Sequence, residues 1–194
     1  MTAVLHPSSA STTQASTLTP TITTAAGRAL AVLRIALGFI FLWAFLDKTF
    51  GLGYSTPAAK AWINGGSPTS GFLGHVEVGP FRAFFVSLSG SPVVDTLFML
   101  AMLGVGLALI LGMGLRIAAV SATILMLGMW AAEWPLAQLT FEGQPSGSVN
   151  PIVDYHLIYA LVAIVAALTY AGRVWGLSKM WESTSLVKRL PWLK

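Results

Sequence analysis

GVGLALILGMGLRIAAV, residues 104–120, is the stretch on which the fold of this chain turns. It lies in the middle of an apolar run of roughly 40 residues from Val93 to Trp134, and a bilayer of ~30 Å hydrocarbon is crossed by ~20 residues of helix. One unbroken helix through that run fits no membrane. Gly112-Met113-Gly114 supplies the turn, and Arg116 just beyond it supplies a charge that stays at the surface. The run therefore reads as an antiparallel hairpin of two spans, Val93–Gly114 and Leu115–Trp134.

Working outward, ALAVLRIALGFIFLWAFL before Asp47-Lys48 gives a first span over Arg28–Leu46, and Ile152–Ala171 gives a fourth. The expected fold is all-α: a four-helix transmembrane bundle. Composition agrees, because 55% of the 194 residues are hydrophobic and only 9% charged, against about 25% charged in soluble domains. A formal charge of +4 raises the question of nucleic acid. The positive residues flank the spans, as membrane orientation demands, so no nucleic-acid partner is expected and the bilayer is the partner that composition names. The chain has no cysteine. Disulfides, thiolate-held zinc, iron–sulfur ligation and thiol chemistry by this chain are therefore excluded.

Four spans put both termini on the side of the Gly112–Arg116 turn. That side carries Arg28, Arg116, Arg173, Lys179, Lys188, Arg189 and Lys194, while the opposite side carries Lys48, Lys60 and Arg82. Both termini are expected in the cytoplasm of a multi-pass plasma-membrane protein. Residues 1–26, rich in Ser, Thr and Ala with no Lys or Arg, read as a disordered cytoplasmic tail. Residues 27–175 read as the membrane domain. Residues 176–194 read as a basic cytoplasmic tail, with Trp175, Trp181 and Trp192 as interfacial anchors.

The first outer loop, residues 48–91, is too long for a mere connector. Thr56-Pro57 reads as a helix start running to Trp62. After Gly79-Pro80, the residues Phe81, Phe84, Phe85 and Leu88 follow helical spacing. Two short interfacial helices are expected over the outer mouth. Gly104, Ala108 and Gly112 recur every four residues, a strip that admits a neighbouring helix closely; a ligand groove is the other reading of that strip.

The chemistry concentrates at one end of the bundle. Asp47 ends the first span, Glu133 the third, and Asp154-Tyr155-His156 opens the fourth, so antiparallel topology brings them to one level. Trp43 shares a helix face with Asp47, and Trp130 and Trp134 share one beside Glu133. On an ideal helix His156 lies ~3 Å deeper than Asp154 and faces away from it. Asp47, Glu133, Asp154 and His156 are the candidate proton-exchanging residues. With Trp43, Trp130, Trp134, Tyr155 and Tyr159 as ring-stacking walls, such a pocket suits a quinone head group. The structural alternative is that carboxylates cap helix N-termini, Lys48 neutralises a neighbour, and Trp belts mark interfaces. That alternative accounts well for Asp95 and Asp154 but not for Glu133 or His156. A divalent metal is a third reading, but the Glu-x-x-His pairs of di-iron bundles are absent, and no metal ligand set is assigned. Arg34, two turns inside the first span, needs a partner. Asp47 is 13 residues off, ~20 Å along the axis, which leaves lipid phosphate, backbone carbonyls, a helix C-terminus or an anionic ligand.

RIALGFIFLWAFLDKTFG and VDYHLIYALV resemble the DoxX/DoxD family of small four-helix membrane proteins. Arg34, Lys48, Arg116, Asp154 and His156 match the family's pattern of charged positions, and the long first outer loop matches its layout. The resemblance covers roughly residues 27–175. It implies a link to quinone or sulfur redox chemistry, since the family includes the membrane subunit of a thiosulfate:quinone oxidoreductase and members tied to thiol redox complexes. On that footing the chain is expected to be a membrane subunit of a quinone-linked oxidoreductase. A partner subunit would carry the sulfur chemistry that a cysteine-free chain lacks. The alternative is a non-catalytic membrane scaffold or accessory subunit for a redox complex, and a homo-oligomer stays open in either case.

Overall fold

The computed structural model describes residues 23–193 and is all-helical there, with no β-strand among them. Helix α1 runs Thr24–Phe50, and its start is capped by the Thr23 hydroxyl, which accepts from the Ala26 N–H. It is longer at both ends than the expected Arg28–Leu46. Asp47 and Lys48 sit in its last turn instead of stopping it, because charges at a membrane surface do not break a helix. Gly51 does, with φ 66° and its N–H on the Asp47 carbonyl. Most of the tail expected over residues 1–26 lies outside the described residues; its last three residues belong to α1.

Helices α4 (Pro92–Leu111) and α5 (Leu115–Glu133) form the hairpin read from the sequence, turned at Gly112 and Gly114, both with positive φ. α1, α4 and α5 are each long and apolar enough to cross a membrane. The expected fourth span is shorter: α6 covers Tyr155–Leu168, 14 residues, or about 21 Å. Asn150 is the reason for its late start. Its Oδ1 accepts from the N–H groups of Ile152 and Val153, a local turn that holds those residues out of the helix.

Close packing joins α1 to α4 and α5 to α6. A Cβ at Gly38 would meet Ile110 and Leu109 at 2.8–2.9 Å, and one at Gly106 would meet the Leu42 backbone at 2.8 Å. These two glycines set the α1–α4 crossing. In the Gly104–Ala108–Gly112 strip, a Cβ at Gly104 meets nothing within 4 Å, while one at Gly112 would meet the Arg34 guanidinium at 2.8 Å and Gly172 at 3.0 Å. Ala119 and Ala122 of α5 with Ala160, Ala163 and Ala167 of α6 fill the shared core beside Phe41, Met102 and Leu109.

Arg34 is fully buried in α1, so it does not snorkel to lipid. Its Nη1 donates to the carbonyls of Leu109 and Ile110, and its Nη2 to those of Val174 and Trp175. The guanidinium thus satisfies two carbonyls at the C-terminal end of α4, which a helix leaves without partners, and two more in the chain that follows α6. It lies at the end of the molecule opposite Glu133 and His156 and takes no part in a cofactor site there.

The C-terminal segment is a folded foot and not a tail. Helices α7 (Ser178–Ser183) and α8 (Ser185–Arg189) pack around buried Val187 and Leu193, and the Trp181 indole donates to the Leu193 carbonyl. Leu177 N–H binds the Leu111 carbonyl and Arg116 binds that of Trp192, fastening the foot to the α4–α5 turn.

The first loop carries two 3₁₀ turns, Ala58–Lys60 and Trp62–Asn64, where one short helix was expected. A short α2 (Ser70–Leu73) and α3 (Arg82–Leu88) follow. Two buried carboxylates grip this loop. Asp47 accepts from the N–H groups of Tyr54 and Ser55 and from the Ser55 hydroxyl. Asp95 accepts from the Ser67 hydroxyl and from both the N–H and the hydroxyl of Thr69. Asp95 was expected to cap its own helix, yet it binds the loop instead.

Candidate functional site

The site is built where α5 ends and α6 begins. Asp154 is the N-cap of α6, with Oδ1 accepting the Leu157 N–H at 3.0 Å. Capping requires extended backbone at that residue, here φ −119° and ψ −174°. Helical geometry therefore does not apply between Asp154 and His156. The expectation that they face apart is overturned: Asp154 Oδ2 lies 2.9 Å from His156 Nδ1. A carboxylate only accepts, so Nδ1 carries the proton.

Glu133 completes the cluster from the other helix. Its Oε2 is 3.7 Å from the same Nδ1, and its Oε1 accepts the Tyr155 hydroxyl at 2.9 Å. The Tyr155 ring lies over the His156 ring with centroids 4.0 Å apart. Glu133 is the last residue of α5, the end where the helix dipole disfavours a negative charge. No capping role explains it. Tyr155, His156 and the N-terminal end of α6 supply the positive and donating surroundings that α5 does not.

Trp134, the residue that ends α5, has φ 44°, a left-handed conformation uncommon outside glycine. The first loop holds it there. Gly79 leaves room for the Trp134 side chain, since a Cβ there would come within 2.6 Å of Trp134 Cβ and 2.8 Å of the indole, and Phe81 packs edge-on at 5.9 Å. Strain of this kind persists where surrounding structure over-determines it, often at functional sites.

Above the cluster opens a cleft of about 530 Å³, walled by Glu133, Asp154, Tyr155 and loop residues that include Phe72, His75 and Ser148. His156 lies beneath it, 1% exposed. Its Nε2 is buried with no partner among the described residues. The donor atoms of Glu133, Asp154 and His156 lie within 4.8 Å of one another, close enough to share a metal ion. A metal-binding histidine almost always donates its second ring nitrogen to an oriented acceptor. His156 does so from Nδ1 to Asp154, but both carboxylates face that protonated Nδ1, so in this arrangement the three groups make a hydrogen-bonded relay and not the ligand set of one ion.

Of the residues singled out from the sequence, Glu133, Asp154, Tyr155 and His156 come together. Asp47 does not join them, because its carboxylate is taken up by Tyr54 and Ser55. Trp43 meets Tyr54 edge-on at 5.1 Å and packs at a tilt against Phe39 at 5.8 Å. Trp130 donates to the Ile152 carbonyl and packs on Trp134 at 5.9 Å, bracing the chain into α6. Tyr159 stacks on Tyr155 at 5.9 Å. None of these four walls the cleft. Phe72, His75 and Ser148, which also wall the cleft, were not singled out from the sequence; Phe72 and His75 belong to the overlong first loop and Ser148 to the chain between α5 and α6. Comparison with protein-family models, with curated proteins and with solved structures finds no match to this chain. The likeness to the DoxX/DoxD pattern therefore rests on the quoted residues alone.

Proposed function

We propose that this chain is a four-span plasma-membrane subunit of a quinone-linked oxidoreductase, with both termini cytoplasmic and the Glu133–Asp154–Tyr155 cleft receiving the quinone head group. The observation that carries the reading is His156, buried yet held between two carboxylates that both open on the cleft. A quinone supplies a two-electron, two-proton acceptor. The chain's own residues deal with protons. Tyr155 presents a hydroxyl to the cleft, and Glu133 accepts from it and meets water there. His156 stabilises whichever carboxylate is charged. Electrons, and any thiosulfate or related sulfur chemistry, belong to a partner subunit, since this chain has no thiol.

Quinone retention by detergent-purified protein tests the reading. Glu133→Gln and His156→Asn are expected to fold normally and to lose bound quinone tenfold or more. Retention equal to wild type in both variants would leave the non-catalytic scaffold as the better account. Orientation is tested separately with cysteines at Ile63, Gln144 and Ser183. The first two should react with an impermeant reagent in intact cells and the third should not.

A further inference from the structure

A second cavity begins on the other side of Phe72. It holds about 540 Å³ along the seam of α4 and α5, and Phe72 walls both it and the polar cleft. A third, of about 360 Å³, continues the same seam, sharing Ala101 and Ser121 with the second and ending at Met113 and Trp181. Together they form one furrow alongside the helices from Val94 to Leu111, about 25 Å at 1.5 Å per residue. Its floor is made of small residues. A Cβ at Gly104 or at Gly128 meets nothing within 4 Å.

The furrow is apolar except at its Phe72 end. Lys48 is the one charged residue lining it. The ion pairs among the described residues are made by His156 and Arg173, so Lys48 has none there. The occupant is therefore a long hydrocarbon with an oxygen-bearing head at the Lys48 end. Length selects among hydrocarbons. An acyl chain of one leaflet reaches about 15 Å, half of the ~30 Å core, and leaves much of the furrow empty. A helix of a second copy, 10–12 Å wide, meets the exposed walls Leu97, Leu100, Ile117 and Ile124 before it reaches the floor.

We propose that the α4–α5 furrow holds the polyprenyl tail of the quinone whose head enters the cleft past Phe72. This inference rests on the quinone reading above and adds a tail site to it. Leucine at Gly104 or at Gly128 blocks the furrow at two separate points, starting from a Cβ that meets no neighbour. Binding of a polyprenyl quinone and of the same ring without its tail is measured on purified protein in nanodiscs. Wild type should bind the tailed quinone at least tenfold more tightly. Gly104→Leu and Gly128→Leu should each bring its affinity down to that of the bare ring, with bare-ring affinity and thermal stability unchanged. Glu133→Gln should weaken both ligands alike. An undiminished tail preference in both leucine variants overturns the tail site and leaves the quinone reading intact. Wild type binding neither ligand overturns the quinone reading and the tail site with it. A dimer that falls apart in the leucine variants makes the furrow a subunit contact and overturns the tail site.

Discussion

The two ends of the molecule each bury a side chain able to carry positive charge, and they treat it in opposite ways. At one end Arg34 spends both terminal nitrogens on four carbonyls. At the other, His156 has one nitrogen between two carboxylates and the second without a partner, under a cleft that reaches solvent through half-exposed Glu133. Fully satisfied buried polar groups hold a structure in one arrangement, and partly satisfied ones are expensive to keep. Arg34 ties α1 to the end of α4 and to residues 174–175 through four bonds, so that end is a clasp even though its Nε has no partner among the described residues. The His156 end keeps unspent hydrogen-bonding capacity, which a ligand or a moving proton can use.

The sharpest way to break this contrast is at Arg34. Arg34→Leu strips the donors from four carbonyls and removes a fully buried charge, and a loss of about 3 kcal/mol or more is expected. Arg34→Lys keeps the charge but not the planar fork, so about half that loss is expected. Thermal unfolding in detergent reads both, and a Leu variant as stable as wild type would show that the clasp carries no weight. Asp95→Ala is next. It frees Ser67 and Thr69, and a loss of about 1–2 kcal/mol is expected, with faster proteolysis of the first loop as the specific sign. At the other end Glu133→Gln should change stability by no more than about 0.5 kcal/mol while quinone retention falls. A large stability loss there would make the two ends alike and the relay structural. The smallest effect is expected from Tyr155→Phe, which removes one hydroxyl. Stability should be unchanged within error and ligand retention reduced only a few-fold, measured beside Glu133→Gln on the same preparation.

A second contrast lies in the glycines. Gly104, Ala108 and Gly112 share the spacing of a packing strip, yet Gly104 faces open space while Gly38 and Gly106, of less regular pattern, set the α1–α4 crossing. Spacing shows that residues lie on one face of a helix. It does not show which neighbour that face meets.

The all-helical fold, the α4–α5 hairpin and the apolar lengths of α1, α4 and α5 were legible in the sequence, because hydropathy, glycine turns and flanking charges are local properties read along one dimension. So was the gathering of Glu133, Tyr155 and His156 near one level, which follows from span lengths and chain reversal. The tertiary structure decided the rest. It turned Asp47 and Asp95 to the first loop, because the nearest unpaired N–H and hydroxyl donors lie there. It swung Asp154 back onto His156, because the capping residue leaves helical geometry where a wheel drawn on the sequence assumes it. Arg34 met carbonyls of residues 109–110 and 174–175, partners 75 to 141 positions away that no local pattern can name.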